Sequence, residues 1–281
     1  MYSLATFEYA LKNEEQILTF HDILRVLLPS SLRRNDRFQN SIHRVAEEDM
    51  FIVLAIEGIR MPLYYPKGLP VEPLLQVVSE IMDVNNPHYY ENYGTDVKAD
   101  IVLDCGAAEG LFGLKIVTEC KRLYLAEPLP IYHHSLLRTF KGRNNVELMP
   151  FAMGELHGKV NFSVGRGDCE IIASRVVDKP SDLVVEQRTI DELFYEEGRE
   201  LTYIKADVEG SEIGLIRGGT KTISANKPKI AIATYHAMNH ASELIRILRD
   251  ICPSYEIRTN GFRYDKEKGT IYPFMLHAIA S

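Results

Sequence analysis

The chain has 281 residues, with 32 Lys and Arg against 39 Asp and Glu, a formal net charge of −7 and 46% hydrophobic residues. This is the profile of a soluble globular protein with a full core, built as one large domain or as a domain with a substantial extension. The negative balance argues against a general binder of nucleic-acid backbones, and no apolar run reaches the ~20 residues that span a bilayer.

Residues 1 to about 44 carry apolar side chains at helical spacing (Phe7, Ala10, Leu11, Ile17, Leu18, Leu24, Leu28), interrupted at Pro29. The start lacks a basic region followed by an apolar stretch, so no secretory leader is expected. From Val45 to Tyr65 two extended segments flank Glu57-Gly58 and predict a hairpin, with Pro62 and Pro66 either weakening its second strand or placing it on an edge. Helical periodicity returns over 71–84, with Pro73 in the first turn and Asn85-Asn86-Pro87 as the stop.

Beyond Lys98 strands and helices alternate. Strands are predicted at 101–105, 122–127, 146–151, 201–207 and 229–234, with helices at 111–120, 131–141, 211–224 and 237–251 between them. This is a doubly wound, mostly parallel α/β sheet over 98–281. The last two strands, 255–259 and 272–280, have no helix between them and are expected to pair antiparallel at one edge. Residues 152–200 are irregular, with a strand near 159–164 and a helix near 189–195. The expected division is an extension, 1–97, that lids a pocket or builds a dimer contact, and a core domain, 98–281. Four cysteines (Cys105, Cys120, Cys169, Cys252) stand apart with no C-x-x-C pair, as expected of reduced thiols in a cytoplasmic protein.

Two stretches carry chemistry. Asp104-Cys105-Gly106-Ala107-Ala108-Glu109-Gly110 follows a strand and opens a helix, where glycine permits a sharp turn and small residues let a ligand press against backbone. The spacing is not G-x-G-x-x-G, since Leu111 stands where the third glycine belongs. The strand-ending Asp104 opposes a pyrophosphate and suits a cationic ligand such as S-adenosylmethionine. Glu127, 23 residues on at the next strand end, is placed to accept hydrogen bonds from a ribose diol, with Phe151 and Ala152 beside the adenine. The second stretch, Ile204-Lys205-Ala206-Asp207-Val208-Glu209-Gly210-Ser211-Glu212, sets Asp207 at the same rim.

With Glu127-Pro128, Phe151-Ala152 and Ile216-Arg217-Gly218-Gly219, these stretches resemble the FkbM family of S-adenosylmethionine-dependent methyltransferases, from about Val97 to the C-terminus. The resemblance implies a Rossmann-like class I methyltransferase fold and methylation of a hydroxyl on a sugar or secondary metabolite. It also implies cofactor contacts from Asp104, Gly106, Ala107, Glu109, Gly110, Glu127, Pro128, Phe151, Ala152 and Asp207. The chain departs from the family at Ala107-Ala108-Glu109 and at Leu129.

Methyl transfer to an alcohol needs alignment and a proton acceptor. His236, after the fifth strand, is the candidate base, supported by Asp207. His236-x-x-x-His240 has metal spacing on a helix, but the zinc-protease pattern needs Glu where Ala237 stands. No metal is expected, a divalent ion on Asp207, Glu209 and His236 being the other reading. Tyr89, Tyr90 and Tyr93 read as linker packing or as stacking surfaces for a sugar. Two other functions fit the same pattern: a methyltransferase-like domain that binds without catalysis, and a nicotinamide dehydrogenase. The expected partner is a small hydroxylated acceptor, with no nucleic acid.

Overall fold

The computed structural model describes residues 38–163, 175–177, 183–265 and 270–281. The helical pattern expected over 1–44 therefore lies outside the described residues up to 37. From Ile42 the chain is already a strand.

Three antiparallel strands open the described chain: β1 (Ile42–Glu47), β2 (Phe51–Ile56) and β3 (Leu63–Pro66), in that spatial order. The predicted hairpin is β2–β3, and β3, which follows Pro62 and ends on Pro66, is an edge strand. Helix α1 (Glu72–Met82) buries Leu74, Val78 and Ile81 on one face, with Pro73 in its first turn. The positions Pro73, Gln76, Val77 and Glu80 lie on its other side.

The central sheet has seven strands: β4 (Ile101–Cys105), β5 (Arg122–Ala126), β6 (Val146–Met149), β11 (Tyr203–Ala206), β12 (Lys229–Ala233), β13 (Tyr255–Asp265) and β14 (Thr270–Ala280). Their order is β13-β14-β12-β11-β4-β5-β6. Strands β12, β11, β4, β5 and β6 run parallel, and β14 enters antiparallel to β12 and β13. Neighbouring residues of each parallel strand feed opposite cores. Val102 and Tyr203 join the β2–β3 hairpin and α1 on one face, while Leu103, Ile204 and Ile230 pack with Leu244 and Leu276 on the other. Both faces are covered, which is why these strands read as continuous apolar runs. The hairpin side chains Leu54, Ile56 and Leu63 share a core with Leu111, Leu123 and Leu136, so residues 51–97 are built onto the sheet domain.

Helices α2 (Leu111–Ile116) and α3 (Pro130–Thr139) link β4, β5 and β6. The single helix predicted over 211–224 is two, α4 (Glu212–Arg217) and α5 (Thr220–Asn226), broken at Gly218-Gly219. A Cβ at Gly218 would lie 2.1 Å from the Gly154 carbonyl oxygen, so the break brings this helix end against the chain after β6. Helix α6 (His240–Ile251) begins three residues later than predicted. The irregular stretch holds a second sheet of four strands, ordered β7 (Ala152–Met153), β10 (Leu183–Arg188), β8 (Gly158–Ser163) and β9 (Arg175–Val177), followed by a π-helical turn at Asp191–Tyr195. Among the described residues, no helix is long and apolar enough to cross a membrane.

Candidate active site

The order of strands reverses between β4, whose chain continues to β5, and β11, whose chain continues to β12. A crevice opens outside their carboxyl ends, where sheets of this kind bind ligands. Its walls come from four parts of the chain. The β4–α2 turn supplies Gly106, Ala107, Ala108 and Glu109, and the β5 exit supplies Glu127, Pro128 and Leu129. The β11 exit supplies Asp207, Val208, Glu209 and Ser211, and Tyr235 follows β12. The extension adds Gln76, Val77, Glu80, His88 and Tyr90. The second sheet adds Ala152, Met153, Phe162 and Val176.

The first half of the crevice is held by backbone. Gly106 has φ +74°, and a Cβ there would stand 2.0 Å from the Asp207 carbonyl oxygen. The glycine therefore lets the turns after β4 and β11 touch. Ala108 also sits at positive φ, +46°, beside the cavity. The Glu127 carboxylate accepts the N–H of Ala108 and that of Leu129, each at 2.7 Å, and so pins the glycine turn to the β5 exit. Burial raises its pKa to about 7 against those two donors. Burial raises neighbouring Glu109 to about 7 as well.

Asp104 departs from expectation. It is fully buried and does not line the cavity. The β4–β11 register sets it beside Lys205, whose Nζ lies 2.9 Å from Oδ1 and donates to the Gly106 carbonyl at 2.8 Å. Burial pushes the Asp104 pKa up while Lys205 opposes that shift. Its charge is thus met inside the protein by Lys205, and Lys205 is the residue that reaches the cavity wall. Gly110 and Phe151 also stand outside the wall. Gly110 has φ +88° at the start of α2, and a Cβ there would meet Leu136 and Phe140, so its role is packing.

The second half is built on Asp207. Its Oδ2 accepts the Tyr90 hydroxyl at 3.0 Å and faces His88 Nε2 at 3.1 Å. His88 Nδ1 lies 3.2 Å from Glu80 on α1, so an imidazole joins two carboxylates. Burial alone would lower the His88 pKa, but Glu80 and Asp207 outweigh it and hold it near 9, keeping the ring charged. Burial pushes Asp207 the other way, yet His88, His236 and Lys205 keep it well below the usual carboxylate range. Oδ1 is less engaged, with the Tyr235 hydroxyl at 3.4 Å and His236 Nε2 at 3.6 Å.

His236 differs from expectation in the same way as Asp104. It does not line the cavity. Its Nε2 lies 3.2 Å from Glu209 and its Nδ1 2.9 Å from Glu212. Burial lowers its pKa, but these acids overcome that and raise it to about 10, the state of a proton donor. Glu209, at φ +52°, is a non-glycine residue in a left-handed turn on the cavity wall, a kind of strain that clusters at functional sites. Sequence reasoning missed Glu80 and His88. It read Tyr90 as linker packing or a stacking surface for a sugar, whereas this residue donates to Asp207 and lays its ring 5.2 Å from Lys205 Nζ. The dense aromatic and histidine run 88–93 was the available signal.

The sheet order and the crevice at its switch point are those of the class I methyltransferase fold. Residues 104–264 match the family model described as the methyltransferase FkbM domain. That is more than half of the chain, which belongs to this family. Among solved structures, methyltransferase FkbM from Methylobacillus flagellatus is similar at 23% identity with a TM-score of 0.47, over 75% of this chain and 56% of that one. Precorrin-6y C5,15-methyltransferase from Geobacter metallireducens is similar at 10% identity and a TM-score of 0.39, over 77% of this chain and 92% of that one. A putative tRNA methyltransferase from Streptococcus pneumoniae, in complex with S-adenosyl-L-methionine, is similar at 12% identity and a TM-score of 0.40, over 66% and 67%. The chain thus spans about half the length of the Methylobacillus protein. No curated protein matches it.

Proposed function

We propose that this methyltransferase uses S-adenosylmethionine and transfers the methyl group to a hydroxyl of a sugar or secondary metabolite. The observation that carries this reading is the division of one crevice into two unlike halves. A backbone-lined turn with Glu127 faces an ionised carboxylate, Asp207, held by residues of the extension. The acids Glu80, Glu109, Glu127, Asp207 and Glu209 line it against the cations Lys205 and His88. That balance suits a cationic cofactor and opposes a pyrophosphate.

Glu127 is the residue that would take the ribose hydroxyls, since each of its oxygens keeps a lone pair beyond its backbone donor. Ala152 and Met153 offer an apolar wall to a base, and Gly106 and Ala107 allow close approach of ligand to backbone. The bound cofactor supplies an electrophilic methyl group. The chain supplies position, which is a large part of the catalysis of such a displacement. Asp207 Oδ1, the less engaged oxygen, is the acceptor for the hydroxyl proton. His88 and Tyr90 fix the other oxygen and so the direction of the carboxylate. A hydroxyl that is being alkylated grows strongly acidic, so an ionised carboxylate suffices as base late in the transfer. The α1 wall and the second sheet line the crevice around the place of the reacting oxygen.

Incubation with S-adenosylmethionine labelled in the methyl group, across a panel of sugars and hydroxylated metabolites, tests the reading. Label in an O-methyl group, seen by NMR, supports it. Label on nitrogen or carbon only would overturn the hydroxyl assignment. Failure to bind S-adenosylhomocysteine, with binding of NADH instead, would overturn the cofactor.

A further inference from the structure

Behind the cavity wall, three metal-ligating side chains meet that the methyl-transfer reading does not need as a group. Glu212 opens α4, His236 leaves β12 and His240 opens α6. Their donor atoms all lie within 4.8 Å of one another. Glu212 is fully buried, the His236 side chain is 9% exposed and His240 is 12% exposed.

Glu212 is divided in its duties. Its Oε1 accepts the N–H of Val208 at 3.1 Å and of Gly210 at 3.3 Å. Its Oε2 is buried without a hydrogen bond, as are His240 Nδ1 and both nitrogens of His236. These atoms are close enough to be ion-paired yet make no aligned hydrogen bond, an arrangement that a shared cation would satisfy. They face one another at short range: His236 Nδ1 is 2.9 Å from Glu212 and His240 Nδ1 is 3.4 Å from it. Ligands about 2.0–2.1 Å from one tetrahedral ion stand roughly 3.4 Å apart, so the donors are already near ligand spacing.

We propose that Glu212, His236 and His240 form a zinc site. Two imidazole nitrogens and one carboxylate oxygen suit a late first-row divalent ion, whereas magnesium and calcium take oxygen ligands. The remote nitrogen of His236 supplies an independent mark. Its Nε2 faces Glu209 at 3.2 Å and Asp207 at 3.6 Å. A metal-bound histidine usually donates its other N–H to a carboxylate, which fixes its tautomer and orientation. The second acidic group nearby, Asp207 with Glu209 and His236, is the weaker candidate, because both of its acids are partly exposed and Asp207 is already engaged by Tyr90 and His88. In the sequence, Ala237 stood where a helical zinc motif needs its acid. In the structure the acid comes from Glu212, across the β11 exit. The ion would tie three element ends together at the rim and steady Asp207 through His236. The site stands apart from the choice of methyl acceptor.

The test is metal content and titration of the full chain. Purified without chelator, the protein is expected to hold about one zinc per chain by mass spectrometry. Stripped protein should rebind zinc tightly in competition with a chromophoric chelator, and excess magnesium should not displace it. His240→Ala should weaken zinc binding at least tenfold, and His240→Cys should restore it. One equivalent of zinc should raise the melting temperature of the unaltered chain and leave that of His240→Ala unmoved, which separates lost ligation from lost folding. Sub-stoichiometric zinc that rebinds only weakly, or equal affinity in His240→Ala, would overturn the site.

Discussion

The two halves of the crevice are built on different principles. On the β4–β5 side the wall is backbone and small side chains, and its acids, Glu109 and Glu127, are buried enough to titrate near neutrality. On the β11–β12 side the wall is a charged network in which Glu80 and Asp207 keep His88 charged and His88 helps keep Asp207 ionised. The first half can accommodate a ligand by close approach. The second holds a fixed charge, at which the proposed transfer would deliver its proton. A protein that binds one molecule and acts on another needs both kinds of surface at once.

The largest effect should come from the point where the halves touch. Gly106→Ala places a Cβ 2.0 Å from the Asp207 carbonyl oxygen at φ +74°. A loss of on the order of 3–5 kcal/mol is expected in denaturant titration, because backbone cannot yield as a side-chain tip can. A variant as stable as the parent would show that the two turns are not locked together.

Asp207→Asn should strike one half only. It removes the proton acceptor, so turnover should fall by on the order of 10²–10⁴-fold while S-adenosylhomocysteine affinity changes little. If both fell equally, the division of labour would be wrong. Glu127→Ala is the converse. Losing hydrogen bonds to a charged acceptor costs about 2 kcal/mol, or roughly thirtyfold in cofactor affinity.

The mildest test is pH. Glu127 holds its proton up to about pH 7 when free, whereas ribose hydroxyls and a cationic cofactor favour its ionised form. Affinity should therefore fall as pH drops through 7, by up to about tenfold per unit, with protons released on binding. Calorimetry in buffers of different ionisation enthalpy measures both. A flat profile from pH 5 to 8 would mean that Glu127 does not change charge on binding.

The same contrast explains what the sequence could reveal. The glycine turn and the strand ends at Glu127 and Asp207 are local, each element adjoining its neighbour in chain and space, so position followed from periodicity alone. Asp104 was misjudged because its partner Lys205 lies on another strand, and only the β4–β11 register brings them together. His88 and Tyr90 belong to a segment with no periodic pattern, and their role depends on Asp207, more than a hundred residues away. Residues 152–200 read as irregular because the strands of the second sheet are short and pair out of chain order. The His236–His240 spacing was visible, but its third donor was not, since it arrives from a different helix.

The central claim is that this crevice takes S-adenosylmethionine with Glu127 at the ribose. Calorimetric titration of S-adenosylhomocysteine into the full chain, beside Glu127→Ala, tests it most directly. One-to-one binding by the parent, weakened roughly thirtyfold in the variant, is the expected result. No binding by the parent, or equal binding by both, would contradict it.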